Sequence, residues 1–149
     1  MQDLKALNTR EKKDIYKKLK EQFGHDEKFD QIVLLNPKEK IYLLSKGYAD
    51  LDVKGMRINN KALYFGKLEK DGLRLSIEGS QLIKANKNVI ELNKEELHQW
   101  MKGEDIAKEG SPGYVIVKHK KDIFGCGMHK NNVLRNMVPK ERRLHSVTE

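Results

Sequence analysis

Cysteine is almost absent from this 149-residue sequence, in which Cys126 stands alone. A single cysteine excludes an intramolecular disulfide and any zinc site built on several thiolates, and it fits a reducing compartment or indifference to redox state. Long apolar runs are missing too, since none approaches the ~20 residues that a membrane helix needs. Residues 1–13 lack the apolar core of a secretory signal. We therefore expect a soluble, cytoplasmic protein with no membrane partner.

The motifs that mark common catalytic sites are also lacking. The sequence has no Gly-rich phosphate loop of the Walker type, no strand–GxGxxG–helix unit for a dinucleotide and no HExxH pattern among its histidines. Those histidines are His25, His98, His119, His129 and His145. Cys126 lies between two glycines in an apparent strand, without the nearby base or helix N-terminus that activates a thiol. The sequence predicts no catalytic residue, no metal site and no cofactor, and it assigns Cys126 to packing.

Charge, in contrast, is plentiful: 35% of the residues are charged and 38% are apolar, with a net charge of +8. Residues 113–144 hold +6 of that excess, because eight basic residues there face only Asp122 and Glu141. The eight are Lys118, Lys120, Lys121, Lys130, Arg135, Lys140, Arg142 and Arg143. Such a local excess attracts a polyanion, and the release of counterions from nucleic acid supplies affinity. Apolar runs alternate with these charges, which favours nucleic-acid binding from strands over a merely solvated surface.

Local patterns predict a mixed α+β fold. Asn8 and Glu11 form a candidate capping box ahead of an amphipathic helix that Gly24 would end. The lysines on the opposite face of this helix are better explained as a solvated face than as RNA contacts. Two apolar runs joined at residues 36–39 predict a hairpin.

From residue 56 onward short strands dominate, beginning with residues 56–58. Asp71-Gly72 marks a turn between two of them. A second capping box, Asn93 with Glu96, precedes a helix on which Trp100 is interpreted as a core residue. The change of pattern divides the chain into a small N-terminal α/β unit, residues 1–55, and a compact barrel-like unit with short peripheral helices, residues 56–149.

Three motifs in the charged stretch resemble one known family. They are the strand Tyr114-Val115-Ile116-Val117, the strand centre Gly125-Cys126-Gly127, and the element Leu134-Arg135-Asn136-Met137-Val138-Pro139-Lys140. Together they resemble the C-terminal PUA-like RNA-binding domain of the Sun family of RNA cytosine-5 methyltransferases. The similarity extends back through residues 92–103 to residues 63–76.

The resemblance implies a PUA-like β pseudo-barrel and RNA binding. The sequence departs from the family pattern at Arg135, where lysine is usual, and at Ser76, which lacks a preceding proline. The family's catalytic domain uses two cysteines and a Gly-rich loop for S-adenosylmethionine. One cysteine and no such loop lead us to expect that this chain is not an enzyme.

The leading hypothesis is a stand-alone PUA-like protein that binds structured rRNA or tRNA in RNA modification or ribosome biogenesis. Its candidate partners are a separate RNA methyltransferase subunit or a ribosome assembly factor. Its predicted RNA contacts are Lys67, Arg74, Lys118, Lys120, Lys130, Arg135, Asn136, Lys140, Arg142 and Arg143. For Asn136 an alternative stays open, in which its amide hydrogen-bonds the turn before Pro139. The second hypothesis is a protein-interaction or assembly factor in ribosome biogenesis, whose basic face meets acidic partners. An enzyme with an unfamiliar site is a third, supported only by Cys126 and scattered histidines.

Overall fold

A computed structural model of the chain describes residues 4–46 and 62–144. The predicted strand at residues 56–58 lies outside these ranges, as does His145. The described residues form two five-stranded sheets with three α-helices. No helix among them has both the length and the apolar character that crossing a membrane requires.

The first sheet is an antiparallel meander in chain order. Its strands are β1 (Lys5–Ala6), β2 (Ile32–Leu35), β3 (Lys40–Leu44), β4 (Leu63–Glu69) and β5 (Gly72–Leu75). Helix α1 (Thr9–Phe23) begins at the predicted capping box, where Asn8 accepts from the backbone N–H of Glu11 and the Glu11 carboxylate accepts from that of Asn8. It ends at Gly24, whose φ of 75° is left-handed. The predicted hairpin between β2 and β3 is confirmed.

The second sheet has the strand order β6-β8-β9-β10-β7 and curls into a half-barrel. Its strands are β6 (Val89–Glu91), β7 (Ile106–Ala107), β8 (Gly113–His119), β9 (Asp122–Lys130) and β10 (Val133–Arg135). Strand β6 runs parallel to β8, and the other pairs are antiparallel. Helix α2 (Ile77–Leu82) precedes β6, and α3 (Lys94–Met101) connects β6 to β7. A 3-10 helix (Lys140–Arg142) follows β10.

One apolar cluster joins the two sheets. It contains the inner face of α1, core side chains of the first sheet such as Phe65 and Leu73, and Ile116 and Cys126 from the second sheet. A second cluster lies inside the half-barrel around Trp100, which has no exposed surface. These findings confirm the α+β class, the pseudo-barrel and the core position of Trp100.

The predicted division near residue 55 stays a prediction, because it falls in the gap between the described ranges. The first sheet contains strands from both sides of it, since β3 pairs with β4 over Lys40–Lys67 to Leu43–Leu63. Strands β4 and β5 therefore complete the first sheet, which ends at Leu75, and α2 follows directly.

Two glycines of β9 have distinct roles in the half-barrel. At Gly127 an added Cβ would lie 2.6 Å from Cη2 of Trp100 and 2.9 Å from Cδ1 of Leu134, so only glycine lets the strand approach the core. Gly125 has a φ of 116°, and the pairing of β8 with β9 shifts register beside it, between Ile116–Cys126 and Lys118–Ile123. This bulge bends β9 where α2 packs against it.

Candidate nucleic-acid interface

A cleft of about 560 Å³ lies between the two sheets on one side of α2. Its first wall comes from β4, β5 and the start of α2, and its second from the bulge of β9. Residues 136–143, called here the C-terminal segment, close the third side. Five of the ten sequence-predicted RNA contacts line it: Arg74, Asn136, Lys140, Arg142 and Arg143. Residues far apart in the sequence are thus brought together at one site.

The C-terminal segment is held by the amide of Asn136. Its Nδ2 donates to the carbonyl oxygens of Trp100 (2.7 Å) and Glu104 (3.0 Å), and its Oδ1 accepts from the backbone N–H of Val138 (2.9 Å). The backbone N–H of Asn136 donates to the Asp105 carboxylate at 2.8 Å. The alternative role considered for Asn136, in which it hydrogen-bonds the turn before Pro139, is therefore what the structure contains. As an RNA contact Asn136 stays a prediction, and that contact would compete with these bonds.

Four basic side chains, one from β5 and three from the C-terminal segment, line the cleft. Arg74 projects from β5, and its Nε lies 3.5 Å from the Glu69 carboxylate. Arg142 donates to the Glu78 carboxylate at 2.8 Å. Arg143 donates from Nε to the carbonyl oxygen of Val138 at 3.0 Å and lies against Gly103. The fourth, Lys140, is exposed on the 3-10 helix.

The acidic lining residues Glu78 and Glu141 offset only part of this charge. Arg74 and Arg142 keep 37% and 45% of their side chains exposed despite their acidic neighbours. A surface ion pair of this kind contributes only about 0–1 kcal/mol, so an incoming anion competes with it readily. The arrangement therefore favours binding of an anion at the rim of the cleft.

Two aromatic side chains, Tyr64 and Phe124, line the cleft and are both half-buried. Tyr64 contacts its cross-strand partner Tyr42, with ring centroids 5.5 Å apart. Phe124 stands at the β9 bulge and packs partly against the half-barrel core. Sequence reasoning missed both as site residues. Both residues are aromatics near basic residues in predicted strands, which is the signal that could have found them. Their place in the cleft depends on which strands pair, and no local pattern in the sequence shows that.

Tyr64 and Cys126 are the uncharged cleft residues that could lose a proton, and both stay neutral near pH 7. Burial raises the pKa of Tyr64, with Arg74 nearby acting in the opposite direction. Burial also raises the pKa of the Cys126 thiol to about 12. A thiol that stays protonated is a poor nucleophile. The chemistry that these residues support is recognition by charge, stacking and apolar contact.

A second groove, called here the lysine groove, is lined by Ser80 of α2 and the residues that follow this helix, and has a volume of about 440 Å³. Lys84, Lys118 and Lys121 line it, and none of its described lining residues is acidic. Lys84 pairs with Glu27 at 2.9 Å. Of the ten predicted contacts only Lys118 belongs to this groove.

The remaining predicted contacts line neither depression. Lys67 pairs in register with Arg74 and lies 3.9 Å from Glu69. Lys120 occupies the turn between β8 and β9, where its backbone N–H donates to Glu91. Lys130 and Arg135 are exposed on the second sheet. All ten remain predictions as RNA contacts.

Comparison with known proteins matches residues 87–144 to the family described as the methyltransferase RsmF PUA domain. The match covers β6 to the 3-10 helix, and so includes the bulge and the C-terminal segment. Over 95 residues the chain is 27% identical to ribosomal RNA small subunit methyltransferase F of Vibrio campbellii. That alignment covers 58% of this chain and 20% of the relative. The chain thus spans about a fifth of the length of the curated relative that it matches.

Proposed function

We propose that the chain binds structured RNA at the cleft, from the premise that residues 87–144 match the methyltransferase RsmF PUA domain. The observation that carries the proposal is the convergence of four basic side chains on one depression. Arg74 comes from the first sheet, and Lys140, Arg142 and Arg143 come from the C-terminal segment. A relative named for acting on ribosomal RNA supports RNA as the polyanion.

The proposed mode of binding rests mainly on backbone phosphates. Arginine presents a planar fork that can hold two phosphate oxygens, and the internal partners of Arg74 and Arg142 include surface carboxylates that an incoming phosphate can displace. Arg143 differs, because its Nε is already bonded to a carbonyl oxygen of the chain. We therefore assign Arg143 a structural role, in which it helps to hold the C-terminal segment. Phosphate contact is assigned to Arg74, Lys140 and Arg142.

The finer role that we propose is recognition of rRNA or tRNA in the cytoplasm, without catalysis by the residues described. The buried, protonated Cys126 supports this assignment. The partner that we propose for this role is a separate RNA methyltransferase, for which this chain would bind the RNA substrate.

Binding titrations at several salt concentrations test the proposal with a structured rRNA or tRNA fragment as ligand. Lys140→Ala and Arg74→Ala should each weaken binding and lower the slope of log affinity against log salt by roughly 0.7 to 0.9 for each phosphate that the protein no longer neutralises. Lys13→Ala removes an exposed lysine of α1 outside both depressions and is the matched control. It should leave the affinity within about twofold, because only nonspecific attraction changes.

Unchanged affinity and slope in both cleft variants would contradict RNA binding at this site. Weak, salt-insensitive RNA binding beside tight binding of an acidic protein would instead favour the role of an assembly factor.

A further inference from the structure

We propose that the cleft receives an unpaired nucleotide of the RNA, with the base in the interior and its flanking phosphates at the basic rim. This inference rests on the proposed RNA binding and specifies which part of the RNA occupies the site. It predicts selection for a bulge, loop or single-stranded end over a continuous duplex.

The composition of the cleft walls carries the first step. Behind the charged rim lie Tyr64 and Phe124, together with apolar residues such as Leu75, Ile77 and Val138. A phosphate gains nothing from such surface, because a charged group loses hydration there. A nucleobase is stabilised by such surface, since every base has an apolar face that stacks on an aromatic ring.

The size of the cleft suits a single nucleotide. Its volume of about 560 Å³ falls in the range of depressions that hold one small ligand. A duplex keeps its bases stacked inside and presents phosphates and ribose outside, so it meets the rim without using the interior. An unpaired nucleotide contacts both the rim and the interior. Its base can turn out of the RNA strand into the cleft while its flanking phosphates remain in the strand, at the rim.

The position of the positive charge carries the third step. Arg74 stands on the first wall, which also holds Tyr64, and Lys140 stands on the third side, which the C-terminal segment forms. A base lying between these walls therefore has a cation on either side for its 5′ and 3′ phosphates. The bulge at Gly125 places Phe124 on the second wall, and the φ of 116° at Gly125 favours glycine there.

The polar lining residues indicate how selective the site is. Ser76 Oγ donates to the Tyr64 carbonyl oxygen at 2.6 Å and accepts from the Gly79 N–H at 2.8 Å. The Asn136 amide is likewise bonded within the chain. Because these groups are engaged, stacking supplies most of the interaction, and we expect little preference among the four bases.

The test uses two RNA hairpins of equal stem length, one fully paired and one carrying a single unpaired nucleotide in the stem. The wild-type chain should bind the hairpin with the unpaired nucleotide about tenfold more tightly, which is within the range for stacking of one base. Tyr64→Leu should lose most of this preference and keep most of its affinity for the paired hairpin, because all four basic side chains of the cleft are retained. Tyr64→Phe retains the ring and should retain the preference.

Tyr42→Leu is the matched control, since Tyr42 is the cross-strand partner of Tyr64 and does not line the cleft. It should keep the preference. Phe124→Leu provides a second variant in the cleft and should reduce the preference. As an independent readout, 2-aminopurine at the unpaired position should lose fluorescence on binding to wild-type protein and much less on binding to Tyr64→Leu.

The outcomes separate this inference from the proposed function. Equal affinity of the wild-type chain for both hairpins would overturn the inference and leave RNA binding at the rim intact. A preference that survives in both Tyr64→Leu and Phe124→Leu would overturn the placement of the base in the cleft. No binding of either hairpin would overturn the proposed function, and the inference with it.

Discussion

Single residues fix the geometry of the cleft before any ligand is present. Asn136 ties the C-terminal segment to the end of α3, and the backbone N–H of Leu144 adds a bond to the Met101 carbonyl oxygen at 2.7 Å. Gly103, with a φ of 96°, leaves space for the stem of Arg143. A site whose side chains are already held loses less conformational entropy on binding than a flexible one.

Cys126 provides a prediction at this scale. Cys126→Ala should leave the RNA affinity within about twofold, because the thiol is 5% exposed and protonated and offers the RNA neither charge nor reactivity. The free energy of unfolding should fall by about 1 kcal/mol, as for other small losses of buried volume. RNA titration and denaturant unfolding of the same preparation measure the two quantities. Loss of RNA binding in a folded Cys126→Ala variant would show that the thiol has a function.

At the scale of elements, the link between α2 and β6 binds the end of α1 to the second sheet. The backbone N–H of Asn86 donates to the Phe23 carbonyl oxygen at 2.8 Å, and the Asn88 amide donates to the Gln22 carbonyl oxygen. The Asn88 carbonyl oxygen in turn accepts from the Ile116 N–H at 2.8 Å. This link also lines the lysine groove, so its position affects the spacing of the lysines there.

His25 makes the stability of this link depend on pH. Its Nδ1 accepts from the backbone N–H of Lys84 at 2.9 Å, which requires a neutral ring. Burial lowers the pKa of His25 below its usual value near 6.5; the acidic groups of Glu27 and Asp26 oppose the shift, and Lys84 adds to it. Because the unfolded chain keeps the usual pKa, it binds more protons than the folded chain between the two values.

The free energy of unfolding should therefore fall as the pH drops from about 6.5 through the lowered pKa, and His25 should add no further change below it. Denaturant unfolding at about pH 7.5 and about pH 5.5 measures the loss. His25→Asn should lose less over this interval, because the amide oxygen can accept the same bond and does not titrate. An equal loss in His25→Asn would mean that another group is responsible.

The elements that the sequence predicts well are those with local signals. Both capping boxes, the left-handed Gly24 and the turn at Asp71-Gly72 depend on neighbouring residues only, and all are found. The strands of residues 113–135 follow from their apolar alternation and are also found. The parallel pairing of β6 with β8 depends on residues 27 positions apart and has no local pattern.

The candidate site shows the same limit more sharply. Charge counting found Lys140 and Arg142, because basic residues near the C-terminal end stand out in the sequence. Tyr64 and Phe124 were not found, since they become neighbours of these residues only through the packing of two sheets. Arg74 pairs with Lys67 across β5 and β4 and also hydrogen-bonds Tyr64, and neither contact has a local pattern in the sequence.

At the scale of the whole molecule, one apolar cluster shared by both sheets holds the cleft walls in fixed relation. Part of the excess positive charge lines two depressions that both include residues of α2, and the aromatic lining belongs to one of them. This distribution suits a chain that binds RNA along its surface and receives an unpaired base at one point. The basic face of α1 lines neither of these two depressions. It is expected to contribute only nonspecific attraction to RNA.

The most direct test of RNA binding at the cleft is an amide proton–nitrogen correlation spectrum of the 17.3 kDa chain, recorded during titration with the hairpin that carries an unpaired nucleotide. We predict that the largest shifts fall on residues of the cleft, among them Tyr64, Arg74, Gly125 and Lys140. Amides on the exposed face of α1, such as that of Lys13, should move little. Shifts confined to α1 or to the lysine groove, with the amides of the cleft unmoved at saturation, would contradict RNA binding at the cleft.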